Sequence, residues 1–436
     1  MPEIQAIQTS AIPSWVMLDQ RFRFEDLGSI RADGETSAET RDTNGDPVRV
    51  SFDLQAPPAS SRLCLHWAEE REYSWWDIVV ASHLDAVLFR IEIDFDGLWI
   101  NHSYAMDYFI YRASSSYATL ILLPRCFSTE DEADAEDASS WKRQSRMVHS
   151  GSIGLLVDED NFVVAELLIE GGVKSPCDTA PLEAKLFRLY SSSSPEAAHG
   201  GGQWELTHAR SHGTNVSFLD VAGWETQRVI PFASYLCWAD YNRGVLFCNV
   251  RHKTPELRYL RLPVDDMPNE NFPKKYSRTV CVTDKGETMK FVKVVENSII
   301  CPTCKHGSGF TISVWTLVVV NDDDMVWVED VQITDSELWA MEGYNHDHLP
   351  RRVPQFPLVS MNDPHILYFV LRGTPAPTDE ATASIVTLDL KSKTVLSSGH
   401  IKGYGSVDND DNISSGFGFF PTNFSNYLTK HTTTKV

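Results

Sequence analysis

The residues whose types and spacing best suit chemistry are the two cysteines and the histidine of the sequence CPTCKH. Cys301 and Cys304 form a C-x-x-C turn that places two thiolates on one side of the chain, and His306 adds a third donor. A structural zinc site needs a fourth ligand, and the sequence has no second C-x-x-C pair, so His346 or His348 would have to supply it. We expect a reduced cysteine pair in a polar loop and predict no metal and no cofactor. Cys301, Cys304 and His306 are the candidates for a metal ligand set.

No complete catalytic motif is present elsewhere in the sequence. The run of His199 and three glycines is similar to the oxyanion loop of some esterases, but the G-x-S-x-G nucleophile elbow that this loop requires is missing. The sequence also lacks a P-loop, an H-E-x-x-H helix and a strand followed by G-x-G-x-x-G. We therefore assign no catalytic residue.

The charge of the chain excludes some partners and favours others. With 38 Lys and Arg against 60 Asp and Glu, the formal net charge is −22. This charge opposes binding to nucleic acid and to anionic membranes, because both are polyanions. Acidic residues cluster at positions 130–137 and at positions 322–324, where they predict a solvated loop and a turn. We predict a protein partner with a basic surface, and neither nucleic acid nor membrane.

The N-terminal residues predict no targeting segment. They contain no basic region followed by an apolar stretch of signal-peptide length, and no apolar window elsewhere approaches the ~20 residues that span a bilayer. The expected location is therefore the cytoplasm or the nucleus. In that setting most of the eight cysteines should be reduced thiols, with Cys237 and Cys248 as small core residues.

Short segments rich in branched and aromatic residues recur along most of the chain and predict strands. Gly, Pro, Asn, Asp or Ser bounds most of them, as turns require, and helical periodicity is rare outside residues 335–343. The predicted strands lie at residues 48–54, 86–93, 108–113, 119–124, 152–157, 162–169, 184–190, 245–250, 257–262, 279–282, 290–295, 311–320, 325–333, 365–371 and 384–390. The sequence therefore indicates an all-β protein.

The spacing of these strands predicts a β-propeller-like arrangement. Residues 105–428 allow about six blades at roughly 40–50 residues per four-stranded blade. Radial stacking of small sheets also protects their edges without long helices. We divide the chain into an N-terminal β-rich segment (1–104), which packs on the propeller or supplies strands to it, the propeller-like domain (105–428) and a disordered tail (429–436). Within the first segment, the polar residues 31–46 predict a mobile loop.

Several stretches together resemble the family named domain of unknown function 1618. The clearest runs from Trp238-Ala239-Asp240 through Arg243-Gly244-Val245-Leu246-Phe247-Cys248 to Leu257-Arg258-Tyr259-Leu260-Arg261-Leu262-Pro263. Further stretches at residues 15–19, 57–63, 107–111 and 120–124 match the N-terminal layout of the family. The resemblance covers about nine tenths of the chain, with its core motif at about residues 235–375.

The resemblance implies a plant protein whose molecular function is not established. It also implies a relation to the propeller-like domains that accompany F-boxes, since Trp315-Thr316-Leu317 with Trp327 is similar to their blade signature. No helical F-box pattern precedes the domain, which argues against a ubiquitin-ligase adaptor. The family further implies a role in reproductive incompatibility or in the stress response.

The family motif has a structural interpretation that needs no ligand. We expect Arg243 and Gly244 to form a hairpin turn, with Gly244 at positive φ. Trp238 should bury its ring between neighbouring blades while its N–H finds a backbone acceptor. Asp240 should accept hydrogen bonds from turn amides or from Arg243.

Two hypotheses for function follow. The first is a non-catalytic interaction protein, a scaffold or adaptor that binds another protein through a loop-lined face. The alternative is a hydrolase-like enzyme with its active site in a central channel, built from acidic residues and histidines on blade loops. For that alternative, the first residues to test are His83, His102, His346 and His348.

Overall fold

The structure is a computed structural model. It describes residues 12–26, 36–67, 74, 77–93, 105–126, 151–159, 161–170, 179–180, 182–191, 202–211, 216–264, 276–297, 309–321, 324–344, 349–373, 383–401 and 418–428. Nearly all regular elements in these ranges are strands, which confirms the prediction of a mainly β chain. The predicted tail, residues 429–436, lies outside the described residues.

The N-terminal third of the chain forms two sheets. The first contains β1 (Val16–Asp19), β2 (Arg23–Asp26), β3 (Ala38–Arg41), β4 (Pro47–Asp53) and β5 (Ser60–Trp67). The second contains β6 (Ile78–His83), β7 (Ala86–Ile93), β8 (Ala105–Arg112) and β9 (Thr119–Leu122) in sequential antiparallel order. The boundary predicted between residues 104 and 105 falls inside this second sheet, because β7 pairs with β8 along its whole length. Residues 16–93 contribute strands to both sheets.

The middle of the chain forms an eight-stranded sheet and a small two-stranded one. In chain order the elements are β10 (Ile153–Asp158), β11 (Asn161–Glu170), β12 (Thr179–Ala180), β13 (Glu183–Tyr190), β14 (Trp204–Ser211), β15 (Val216–Ser217), the one-turn helix α1 (Phe218–Val221), β16 (Arg228–Phe232), β17 (Tyr235–Asp240), β18 (Gly244–Cys248) and β19 (Glu256–Arg261). β12 pairs with β15. The large sheet consists of two four-stranded halves, which a short parallel pairing of β14 with β19 joins at their outer edges.

The C-terminal part forms two four-stranded antiparallel sheets and a closing strand. The first comprises β20 (Arg278–Thr283), β21 (Thr288–Asn297), β22 (Gly309–Asn321) and β23 (Asp324–Thr334), with helix α2 (Asp335–Ala340) after it. The second comprises β24 (Gln355–Val359), β25 (Ile366–Arg372), β26 (Ala383–Asp389) and β27 (Thr394–Ile401). The last strand, β28 (Phe419–Thr422), returns to the first sheet and pairs antiparallel with β1, Val16 opposite Thr422. Helix α2 begins with a capping box between Thr334 and Glu337.

These strands form six units, which we number in chain order. Unit 1 is β1–β5 with β28, unit 2 is β6–β9, unit 3 is β10, β11, β13 and β14, unit 4 is β16–β19, unit 5 is β20–β23, and unit 6 is β24–β27. Among the described residues, six buried apolar clusters lie between consecutive units, and the sixth lies between units 6 and 1. The units are therefore packed in a closed order.

Strand β7 shows why the sequence favours this packing. Val87, Phe89 and Ile91 belong to the cluster shared with unit 1, whereas Ala86 and Leu88 belong to the cluster shared with unit 3. Alternate residues of a strand point to opposite faces, so a nearly continuous apolar run buries both faces of its sheet. This property separates the central strands from the polar outer strand β3, which lies in the segment predicted as a mobile loop (residues 31–46).

The family motif lies at the contact between units 3 and 4. Trp238 is fully buried in the cluster that these units share, and its Nε1 donates to the carbonyl oxygen of Ser152 at 2.6 Å, as the sequence predicts. Asp240 accepts from the amides of Glu225 and Asn242 and from Nη1 of Arg243. Both predictions for these residues are confirmed.

The predicted reason for glycine at position 244 is wrong. Gly244 is not among the glycines at positive φ. A β-carbon at this position would instead collide with the ring of Tyr259 and would lie 2.6 Å from the carbonyl oxygen of Leu260 on the neighbouring strand β19. The residue is small because two strands approach closely here.

We expect Gly244→Ala to lower the free energy of unfolding by about 1–3 kcal/mol, because the added methyl group overpacks a closed interface. The matched control is Gly399→Ala, since a β-carbon at Gly399 meets no atom within 4 Å. Chemical denaturation of both variants measures the difference. Equal stability of the two variants would contradict the close approach at Gly244.

Candidate functional site: the hairpin of strands β22 and β23

The structure describes one of the residues that the sequence singled out for chemistry. The others lie outside the described residues; they are Cys301, Cys304, His306, His102, His346 and His348. The metal-ligand set and most of the channel histidines therefore stay predictions. In the part of the chain that the structure describes, no three His, Cys, Asp or Glu side chains are grouped to hold a metal ion.

His83, the described candidate, is held as a neutral acceptor at the junction of units 2 and 3. It ends strand β6, and its Nδ1 accepts a hydrogen bond from the amide of Val157 on β10 at 2.9 Å. Burial lowers the pKa of His83 to about 4, and the positive charge of Arg251 acts in the same direction. The bond connects two sheets, which gives His83 a structural role.

The described cysteines are core groups. Cys64, Cys126, Cys237, Cys248 and Cys281 are free and buried. Burial raises the pKa of the Cys248 thiol to about 12 and that of Cys64 and Cys281 to about 11. Since the thiolate is the nucleophile, these three groups are unreactive at neutral pH.

Arg228 connects unit 4 to the closing strand of unit 1. It lies on β16, its Nη1 donates to the carbonyl oxygen of Phe419 at 3.0 Å, and its guanidinium carbon lies 4.5 Å from the centre of the Phe420 ring. The guanidinium is thus bound by a main-chain acceptor and an aromatic face, both on β28.

Both oxygens of the Asp19 carboxylate, at the end of β1, have partners within the chain. One oxygen accepts from the amide of Arg21 at 3.0 Å, and the other lies 3.4 Å from Nε of Arg62. Burial raises the pKa of Asp19, while the amide hydrogen bond and the two arginines oppose that shift. A single carboxylate with these partners does not make an acid–base pair.

A pocket of about 520 Å³ lies between the outer strands of units 1 and 2. Its charged lining residues, Glu39 and Arg49, form an ion pair with each other. The remaining lining residues are Ser37, Ala38, Ala118, Thr119, Leu120 and Ile121. This lining contains no histidine or cysteine, and Glu39 is its single carboxylate.

The hairpin of β22 and β23 carries the apolar surface with the most exposed valines. Strand β22 pairs with β21 only as far as Thr316, which lies opposite Lys290, and then continues to Asn321. Val318 lies opposite Val326, and Thr316 lies opposite Val328. Residues 322 and 323 at the tip lie outside the described part of the chain.

Three valines of this hairpin share one side of the sheet. Val318 of β22 lies opposite Val326 of β23, and Val328 lies two residues farther along β23, so the three side chains point to the same side. They are exposed by 39%, 43% and 47% in the order Val318, Val326, Val328. We call these three residues the valine face. Isolated exposed apolar residues are ordinary, whereas a contiguous exposed apolar group is a candidate interaction surface.

A polar network bounds the valine face on the side of the core. Nζ of Lys290, which is buried, donates to Oγ1 of Thr316 at 3.0 Å and to Oδ2 of Asp330 at 2.8 Å. Oγ1 of Thr316 also donates to the same carboxylate at 2.6 Å. These bonds fix the base of the hairpin and leave the valine face uninterrupted.

The sequence predicted both strands of the hairpin and their turn, but not their exposed surface. A run such as VWTLVVV has the composition of a core strand. Its periodicity does not show which of its residues extend beyond the end of the neighbouring strand. The available signal was strand length: residues 311–320 and 325–333 are among the longest predicted strands.

We expect the pH dependence of stability to show the lowered pKa of His83. The unfolded chain binds a proton at His83 near pH 6.5. The folded chain does so only near pH 4, so stability is lost as the pH falls through this window. Relative to His83→Asn, which keeps an acceptor but does not titrate, the wild type should lose up to about 3 kcal/mol between pH 7 and 4. Urea denaturation across this range measures it, and parallel curves for the two proteins would contradict a neutral His83.

Among the described residues, no helix has the length and apolar character needed to cross a bilayer. The search of curated proteins gave no match. Among solved structures, a Bacillus subtilis levansucrase variant is similar over 75% of this chain and 84% of its own, with 7% identity and a TM-score of 0.27. A levansucrase variant from B. megaterium covers 91% of this chain and 92% of its own, with 9% identity and a TM-score of 0.27. At these scores the likeness carries no argument about fold or activity.

A family model matches residues 238–368, from Trp238 of the motif in unit 4 to Tyr368 in unit 6, and the hairpin of β22 and β23 lies within this range. Over these residues the chain matches the model of the family described as "Protein of unknown function (DUF1618)", which supports the resemblance found in the sequence.

Proposed function

We propose that the protein is a non-catalytic, protein-binding β-propeller of six blades, in which the valine face is the docking surface. The observation that carries this proposal is the contiguous exposed apolar group on a hairpin whose base is fixed by buried contacts. The partner is a protein with a basic surface, because the chain carries a net charge of −22. The resemblance described above adds a plant setting, in reproductive incompatibility or stress, in the cytoplasm or nucleus.

The closed order of the six units supports a propeller. Each apolar cluster joins consecutive units, and the pairing of β28 with β1 combines the two ends of the chain in unit 1. Propellers protect the edges of their blades in this way and need no long helices. In a ring of six, units 4 and 1 lie opposite each other.

This arrangement favours the binding role over the alternative, an enzyme with a central-channel site. Arg228 of unit 4 contacts β28 of unit 1, so in a six-bladed ring its side chain crosses the middle. An arginine that bridges opposite blades occupies the space that a substrate would need. The described candidate for such a site, His83, is bound to the Val157 amide between two sheets.

We expect Arg228→Ala to weaken closure of the ring. The variant loses a hydrogen bond from a charged donor and its contact with Phe420, so the free energy of unfolding should fall by about 1.5–3 kcal/mol. Amide exchange should accelerate in β1 and β28 before it does in β7. The control Arg49→Ala removes a more exposed ion pair with Glu39 and should cost less than about 1 kcal/mol. Exchange that rises equally in all strands would contradict a bridging role.

The proposed function is tested with the full chain as bait in plant extracts, in parallel with Val318→Lys. Leu206→Lys is the matched control, since Leu206 is a similarly exposed apolar residue on β14, away from the hairpin. A protein retained by the wild type and the control but lost with Val318→Lys is then purified, and its binding is measured by titration calorimetry. We expect a saturable complex that weakens as the salt concentration rises. Absence of any saturable protein partner, or equal retention by all three baits, would overturn the proposal.

A further inference from the structure

We propose that the partner binds by adding a strand to the open edge of β23, as an extended segment that alternates basic and β-branched apolar residues. The inference rests on the proposed function and specifies how the same hairpin recognises its ligand. It follows from three properties of β23. Its outer edge pairs with no described strand, the side chains on its two faces differ, and its charged residues are all acidic.

The edge of β23 is open in the part of the chain that the structure describes. β23 is the last strand of unit 5 and pairs with β22 on one side only. The outer strands of units 1, 3 and 4 are covered: β14 pairs with β19, and β3 lies beside β9. An open edge presents main-chain donors and acceptors in the spacing that another strand requires.

The length of the open edge is limited by a bulge. Trp315 pairs with Glu329 and Val314 pairs with Val331, so Asp330 is the extra residue that interrupts the ladder. Asp324–Glu329 is therefore the regular stretch available to a partner. Six residues match the usual length of a strand.

The two sides of this stretch predict the side chains of the partner. Val326 and Val328 lie on the valine face, where branched apolar side chains of an added strand would pack beside them. Trp327 and Glu329 lie on the other side, where a lysine or arginine would meet an aromatic ring and a carboxylate. A segment that alternates the two types satisfies both sides at once.

Charge decides between such a partner and a second copy of this chain. Residues 309–334 contain Asp322, Asp323, Asp324, Glu329 and Asp330 but neither Lys nor Arg. Pairing two copies of residues 324–329 would bring the Asp324 and Glu329 carboxylates of the two chains together, and like charges across a strand pair are destabilising. A basic segment replaces that repulsion by attraction.

The test uses a fluorescent peptide of sequence Lys-Val-Lys-Val-Lys-Val and the full-length protein. A second peptide has the same side chains but N-methyl groups on alternate amides, which block main-chain pairing. Fluorescence anisotropy measures affinity, and amide exchange of residues 324–329 reports where the peptide binds. The variants are Val326→Thr/Val328→Thr, which keeps β-branching, and Leu396→Thr, a control at an exposed apolar residue of β27.

We expect the unmodified peptide to bind, to slow amide exchange in residues 324–329 and to weaken as salt is added. Val326→Thr/Val328→Thr should lower its affinity roughly fivefold, since cross-strand apolar pairs carry the contact. Leu396→Thr should leave the affinity unchanged, and the N-methylated peptide should fail to bind. Equal binding of both peptides, an unaffected double variant, no binding at all, or dimerisation through β23 would overturn the inference.

The failure of this inference is distinguishable from that of the proposed function. A partner that depends on Val318 in the calorimetric assay but still binds Val326→Thr/Val328→Thr with full affinity would retain the docking role of the valine face. That result would exclude strand addition while leaving the protein-binding function in place.

Discussion

The pairing of β28 with β1 is the constraint on which the rest of the structure depends. It joins residues about 400 positions apart, and closing a loop of that length costs about 5 kcal/mol in chain entropy. The cost is offset because the same step buries the cluster between units 6 and 1, where Trp15 contacts Tyr368 with ring centres 5.8 Å apart. Without closure, units 1 and 6 would each expose an apolar face to water, and the strands of each unit would remain buried on the opposite face only.

Closure also explains which residues the sequence can predict. β7 was predicted with its observed bounds because both of its faces are apolar, so its pattern does not depend on which sheet lies beside it. Three strands, β1, β3 and β28, have only four residues each. They form because a partner distant in sequence, or the unpaired edge of a neighbouring strand, is available for pairing. Local composition does not contain that information. Gly244 illustrates the same limit, since its requirement comes from Tyr259 on another strand and not from its own turn.

The candidate site was only partly predictable, for a related reason. The acids at residues 322–324 and the two flanking strands follow from local patterns. Exposure of Val318 and Val326 does not, because it arises where β22 extends past β21, and the relative lengths of neighbouring strands are a tertiary property. The cysteine pair at 301 and 304 had the more suggestive spacing, yet spacing defines a ligand set only when the fold supplies the remaining donors.

An exposed valine surface beside an open edge would ordinarily lead to self-association, and the acidic residues of the hairpin explain how it persists. Charged side chains and bulges are the usual means by which an edge strand avoids pairing with its own copies. Here Asp324 and Glu329 flank the free stretch, and Asp330, bound to Lys290, lies at the bulge that ends it. In the complex that we propose, the carboxylates that repel a second copy would also attract a basic segment, so one set of charges would both oppose aggregation and select the partner. The net charge of −22 would extend this selection beyond the hairpin, because it disfavours acidic competitors before contact is made.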